Sequence, residues 1–287
     1  MEAPMNLENQ VRRVVRGLAA TVLLAGAAPA LADGTASGAK GKMLEPARSQ
    51  DLFGSEWVGG GVLIVSPKYE GSNSYEVMGA PFVFPGSPFG GSGPVNFTAV
   101  DGVQIRILKQ GSFEFGPVIG WRFGRDEEDG ERLRGLGDVD GGFIVGAYGA
   151  VHSGNFTFTT SYHHQVGGDD TGGLLRLRGE IEVPVHSTMK LTFGAGTNYA
   201  TDEYMDAFFG VTAAQSAASL AGLPVFAADA GFKDVFLSLT ADMMLDQRWT
   251  LTLGGAYAHL IGDAGDSPVI ETEEQFTGTV ILTYKLN

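Results

Sequence analysis

The sequence contains no cysteine, so an exported form of it would have no disulfide to hold it. Its stability must then come from its sheet or from a membrane. Positive charge is scarce: 19 Lys and Arg stand against 33 Asp and Glu, a formal charge of −14. A chain that acidic repels nucleic acid, which excludes DNA and RNA as partners. Helix-compatible composition is also missing. The 43 glycines weaken helices and argue against a mainly helical protein. Long apolar runs are few. Beyond the N-terminus one long uncharged stretch is "AFFGVTAAQSAASLAGLPVFAA", residues 207–228, bounded by Asp206 and Asp229.

The N-terminus reads as an export signal. Arg12, Arg13 and Arg16 precede an apolar segment that ends in Ala30-Leu31-Ala32, a small-residue cleavage site. Residues 1–32 are expected to be removed before Asp33, with translation starting at Met1 or Met5. That removes three Arg and two Glu and leaves the mature chain more acidic still. Residues 33–54 have no period and are expected to be a flexible lead. Residues 55–287 are expected to form a single outer-membrane β-barrel.

From Trp57 onward the dominant period is two, the period of a strand. In 174–185 Arg176, Arg178, Glu180 and Glu182 share one face and Leu175, Leu177, Ile181, Val183 and Val185 the other. In 276–286 Phe276, Val280, Leu282, Tyr284 and Leu286 alternate with Thr277, Thr279, Ile281, Thr283 and Lys285. A soluble sheet with one wet face gives the same alternation. Aromatic spacing separates the two cases. Trp249 and Tyr257, Phe276 and Tyr284, and Phe113 and Trp121 are each eight residues apart on an apolar face. Eight residues at ~3.4 Å, tilted about 40°, give roughly 21 Å of height, close to the ~25 Å apolar band between the aromatic girdles of an outer-membrane barrel. Trp121, Trp249, Tyr257, Phe276 and Tyr284 are therefore assigned to an aromatic girdle. The opposite faces carry small and polar residues, as a lumen would. Short connections (152–155, 186–188, 246–248) alternate with long ones (124–138, 200–231, 261–274), as in a barrel with one periplasmic and one exterior end.

The spacing predicts strands over 56–65, 75–84, 112–123, 139–151, 155–166, 174–185, 188–199, 232–245, 248–260 and 275–286. Residues 95–108 are ambiguous. Asp101-Gly102 is a hairpin signal that could divide them into two further strands. The expected fold is all-β: an antiparallel transmembrane β-barrel of twelve strands, with ten as the alternative, and one short helix in a long extracellular loop.

Four stretches resemble the MipA/OmpV family, the MltA-interacting-protein type of Gram-negative outer-membrane protein. They are "SPKYEGSNSYEV" (66–77), "GPVIGWRFGRDEEDGERLRGLGDVD" (116–140), "DEYMDAFFGVTAAQSAASLAGLPVFAADAGFKDV" (202–235) and "AYAHLIGDAGDSPVIE" (256–271). The resemblance implies an outer-membrane barrel in contact with outer-membrane lipid and lipopolysaccharide. It also implies a non-enzymatic scaffold joining a murein lytic transglycosylase to a murein-synthesising penicillin-binding protein. Other members are linked to adhesion and antibiotic response. It carries no catalytic residues to transfer and implies no cofactor or metal. One departure is the C-terminus "TYKLN", where such barrels end in an aromatic residue. Assembly is then expected to be slower or to depend on Tyr284.

Several local features offer candidate sites. The acidic loop 124–138 offers Asp126, Glu127, Glu128, Asp129 and Glu131 beside Arg125, Arg132 and Arg134. It could bind a divalent cation or a lipopolysaccharide phosphate, but the spacing is not that of an EF-hand, and a solvated loop is favoured. Ser161 and His163 share a face and could suggest a lipase, but no orienting acid is evident. Arg176, Arg178, Glu180 and Glu182 read as lumen charges, paired across strands or lining a pore. The uncharged stretch is too short for a membrane span. Thr212 and Gln215 form a capping box, and Gly222 and Pro224 make a stop. A helix of about nine residues is ~13.5 Å long, less than half of a ~30 Å membrane core. It is expected to fold into the barrel mouth with Phe208, Phe209, Leu220 and Leu223 against the inner wall, so that 207–228 plugs the pore. The rival functions are a small-solute channel or ligand-binding barrel and, least favoured, an outer-membrane lipase.

Overall fold

The computed structural model describes residues 57–85, 95–98 and 102–286. The expected signal segment 1–32 and the lead 33–54 lie outside the described residues. Thirteen strands form one antiparallel sheet: β1 (Trp57–Pro67), β2 (Tyr75–Pro85), β3 (Val95–Thr98), β4 (Gly102–Ile105), β5 (Leu108–Gln110), β6 (Phe113–Arg122), β7 (Gly142–Ser153), β8 (Phe156–Gln165), β9 (Gly173–His186), β10 (Met189–Ala200), β11 (Gly231–Met244), β12 (Trp249–Leu260) and β13 (Glu274–Lys285). Their order is β2-β1-β13-β12-β11-β10-β9-β8-β7-β6-β4-β3. β4 and β5 both lie along β6, at Val118–Ile119 and Phe113–Phe115, and form one strand interrupted at Arg106 and Ile107. The sheet therefore has twelve ribbons. The ambiguous region divides as the hairpin signal indicated, with Val95–Thr98 paired to Ile105–Gly102.

The side chains sort as the alternation requires. On β9, Leu175, Leu177, Ile181 and Val183 face out; Arg176, Arg178, Glu180 and Glu182 face in. On β13 the threonines 277, 279 and 283 face in. Outside, the aromatic residues pack in pairs across strands: Trp121 on Phe143 at 4.9 Å, Tyr257 on Phe276 at 5.1 Å and Trp249 on Tyr284 at 4.7 Å. Arg248 donates to the Tyr284 hydroxyl and fixes that ring at the short-turn end.

The barrel closes by overlap. Gln104 pairs with inward Val118, so the neighbouring Val103 and Phe97 face outward. Val58 and Phe84 face inward, yet they pack in one cluster with Val95 and Val103, and Phe84 meets Phe97 edge-on at 4.4 Å. The inner face of β1–β2 thus lies on the outer face of β3–β4, and no ladder joins β2 to β3 among the described residues.

One end of the barrel carries tight turns at 154–155, 187–188 and 245–248; the other carries the long connections 123–141, 201–230 and 261–273. The single expected helix is a correction. The described residues hold three α-helices, all in the long connections: α1 (Asp202–Phe209), α2 (Ala213–Ala218) and α3 (Gly262–Asp266), with two 3-10 turns at Glu127–Asp129 and Glu131–Leu133. No helix among them is long and apolar enough to cross a membrane.

Candidate functional site

The long connections pack together over the barrel mouth around two apolar clusters. α1 supplies the first through Tyr204, Met205, Phe208 and Phe209, which meet Leu174, Leu260 and Ile270. Tyr69, Leu133, Leu136, Val211, Leu223 and Val269 form the second, and Phe226 joins the two. Helical spacing puts residues 204, 205 and 208 on one buried face while Asp202, Glu203 and Asp206 stay toward solvent.

α1 ends where other loops can take its last carbonyls. Arg125 Nη1 donates to the Phe208 carbonyl at 2.9 Å, and Ser267 Oγ to the Phe209 carbonyl at 2.6 Å. A buried cation at a helix C-terminus complements the helix dipole. Burial pushes the Arg125 guanidinium pKa down, opposed by the nearby Tyr69, Asp129 and Asp138. Burial is also the main cause that pushes the Tyr69 phenol up to about 12, followed by the charge of Glu271.

α2 starts at the expected box: Thr212 Oγ1 accepts from Gln215 N at 3.3 Å and Thr212 N donates back to Gln215 Oε1 at 2.9 Å. The helix is shorter than expected and does not end at Gly222. Ser219 is already extended and caps it, and Leu220 N turns away to the Arg134 carbonyl at 3.1 Å. That turn corrects one assignment. Leu220 is 77% exposed and points to solvent, whereas Phe208, Phe209 and Leu223 are buried. Close approach fixes the α2 docking. Gly135 sits at φ +88°, and a Cβ there would lie 2.1 Å from the Ala218 carbonyl oxygen.

Beneath the packed loops a polar row crosses the wall. A bulge at Asn198/Tyr199 leaves Lys233 without a partner position on β10, so Lys233 and Asp234 both turn inward. Lys233 Nζ donates to Asp234 Oδ2 at 2.7 Å and to Glu70 Oε1 at 2.8 Å. Glu70 Oε1 also accepts from the Tyr204 hydroxyl of α1 at 3.1 Å. On the other side Asn198 donates to Asp234 at 2.7 Å and accepts from Arg176 Nε at 2.8 Å. Arg122 lies over the Tyr204 ring at 4.8 Å and donates to the Thr171 and Gly172 carbonyls. This chain ties α1, the β1–β2 turn and wall strands β6, β9, β10 and β11 together. Burial raises the Tyr204 phenol pKa, with Glu70 adding to the shift.

The other singled-out residues fall elsewhere. Arg178 pairs with Glu180 at 2.7 Å, and Glu182 with Lys190 at 3.0 Å, lower in the lumen. Ser161 and His163 face the lumen and are buried. The acidic loop uses its carboxylates on its own backbone. Asp129 accepts from Asp126 N, Glu127 from Gly135 N and Asp138 from Glu127 N. No group of three His, Asp or Glu among the described residues is arranged to hold a metal ion.

The profile of the family described as MltA-interacting protein MipA matches residues 58–286. The chain belongs to this family. With the apolar outer band and its aromatic pairs, membership makes it an outer-membrane barrel. No curated protein matches the chain. Similar solved structures include the NanC porin (10% identity, 81% of this chain and 100% of that one, TM-score 0.39). The outer membrane channel DcaP of Acinetobacter baumannii is another (7%, 80% and 96%, 0.37), as is OmpT of Vibrio cholerae (7%, 79% and 96%, 0.35). Likeness at this level speaks to no function. Sequence reasoning missed α1 and the Lys233 bulge. α1 was signalled by acidic Asp202 and Glu203 ahead of apolar residues at helical spacing.

Proposed function

We propose that this MipA-family chain is a non-enzymatic outer-membrane scaffold that joins a murein lytic transglycosylase to a murein-synthesising penicillin-binding protein. The observation that carries this reading is the packed mouth. Two apolar clusters and a buried polar row obstruct the path a transported solute would take. Family membership supplies the class of partner. The outer band would contact lipid and lipopolysaccharide, and the signal segment would be cleaved before Asp33. The test is affinity purification of the tagged protein from detergent-solubilised envelopes. Both murein enzymes should co-purify; a clean preparation without either overturns the scaffold.

A second reading, a ligand-binding barrel or gated small-solute channel, is favoured by one observation. Below the Arg176–Asn198–Asp234 row most inward residues of β9–β13 are half-buried, whereas Thr252, Ile281, Ala150 and Glu114 are buried. Planar-bilayer recording of a 210–224 deletion tests it: conductance should rise if the loop closes a channel and stay flat if it covers a solid barrel. The lipase reading has only Ser161 and His163 behind it, and unchanged esterase activity in His163→Ala would remove it.

A further inference from the structure

The half of the lumen nearest the tight turns has its own chemistry. Thr192, Thr240 and Thr279 lie on one cross-strand row with Gly254, and Thr277 lies on the row above with Ala256 and Ser238. Thr250 and Thr283 face each other below. All six threonines are half-buried. Among the described residues none of these six hydroxyls bonds to another protein group, so each is free to meet a solute or water. Glycine leaves room between them. A Cβ on Gly254 would meet only Thr279 at 3.5 Å and Thr240 at 3.9 Å.

Most of the charges in this half pair with one another. Arg178 pairs with Glu180 and Lys190 with Glu182 and Asp242. Glu114 accepts from Arg106 at 3.0 Å and Lys109 at 2.8 Å. These clusters hold four cations and four anions. An ionic solute would have to break an existing pair to gain a counter-charge, whereas a neutral one loses nothing there. A wall of spare hydroxyls rewards a solute that offers donors and acceptors all round. Phe236, which lies along Gly196, adds an apolar surface on the same side of the lumen.

We propose that this half of the lumen is a vestibule for a neutral polyhydroxylated solute, of the saccharide class, entered from the tight-turn end because the plug covers the other. The proposal rests on the ligand-binding reading above. It is tested on the full-length protein in detergent, with folding checked by heat-modifiable gel migration. Saturation-transfer NMR is recorded with sucrose, gluconate and glucosamine at equal concentration. Sucrose should bind roughly ten-fold better than either charged solute, since each of those must disrupt a pair. The double variant Thr240→Val, Thr279→Val should lose roughly ten-fold of that binding, the worth of two hydrogen bonds. Gluconate or glucosamine binding as well as sucrose overturns the neutral class and leaves the ligand-binding reading standing. A sucrose signal unchanged in the double variant overturns this location. No transfer from any of the three solutes, in the wild type and in the 210–224 deletion alike, overturns the vestibule and the ligand-binding reading together.

Discussion

Lys233 and Lys190 both point into the lumen between two carboxylates, and they live in different solvents. The Lys233 side chain is 5% exposed, held by Glu70 and Asp234 under the packed loops. The Lys190 side chain is 28% exposed, between Glu182 and Asp242 near the tight turns. The same pairing chemistry therefore does two jobs. Near the mouth it locks elements together in a dry interior. Near the turns it decorates a wet wall. Breaking a buried pair strands a charge without water, whereas an exposed pair is replaced by solvent at little cost.

The sharpest way to break the contrast is to remove each ammonium. Lys233→Met strands two carboxylates and should destabilise the barrel by about 3–5 kcal/mol, while Lys190→Met should cost less than ~1 kcal/mol. Urea titration of heat-modifiable migration reads both, and equal effects would dissolve the distinction. A comparable gap is expected within the 201–230 connection. Phe209→Ala empties a fully buried position and should cost about 3–5 kcal/mol, whereas Leu220→Ala, on the solvent side, should stay within ~0.5 kcal/mol. Limited proteolysis of the 201–230 connection would report it.

Alkaline titration sharpens the picture at Tyr69. Its phenol ordinarily titrates near 10 and is pushed up to about 12 in the second apolar cluster. The unfolded chain releases that proton first. The stability Tyr69 contributes is thus complete below pH 10 and lost as pH rises from 10 to 12. Tyr69→Phe should flatten that part of the unfolding profile. The smallest effect belongs to the α2 cap: Thr212→Ala should cost about 1 kcal/mol in the same urea titration.

Much of this architecture was legible in the sequence. Ten strands announce themselves by alternation, because each must show lipid one face and the lumen the other. The Thr212–Gln215 box marks α2 because capping is a local bargain between two side chains and two backbone groups. Less legible was what depends on remote partners. The charge at Asp206 seemed to bound the uncharged stretch, so it cut α1 in two; the helix in fact turns Asp206 to solvent. Leu220 looked like a plug residue by composition, but the Arg134 carbonyl draws the chain away before the side chain can turn in. Neither the Lys233 bulge nor the overlap of β1–β2 on β3–β4 has a local signature. Each is set by register between strands, and only the folded sheet states it.

The absence of cysteine gives the most direct test of a lumen that is dry at the mouth and wet toward the turns. Single substitutions Ser161→Cys and Thr240→Cys place one thiol in each half, against a background with none. Labelling of the folded barrel with a water-soluble maleimide should modify Thr240→Cys promptly and leave Ser161→Cys unmodified until residues 210–224 are deleted. Equal labelling of both positions in the intact barrel would contradict the account.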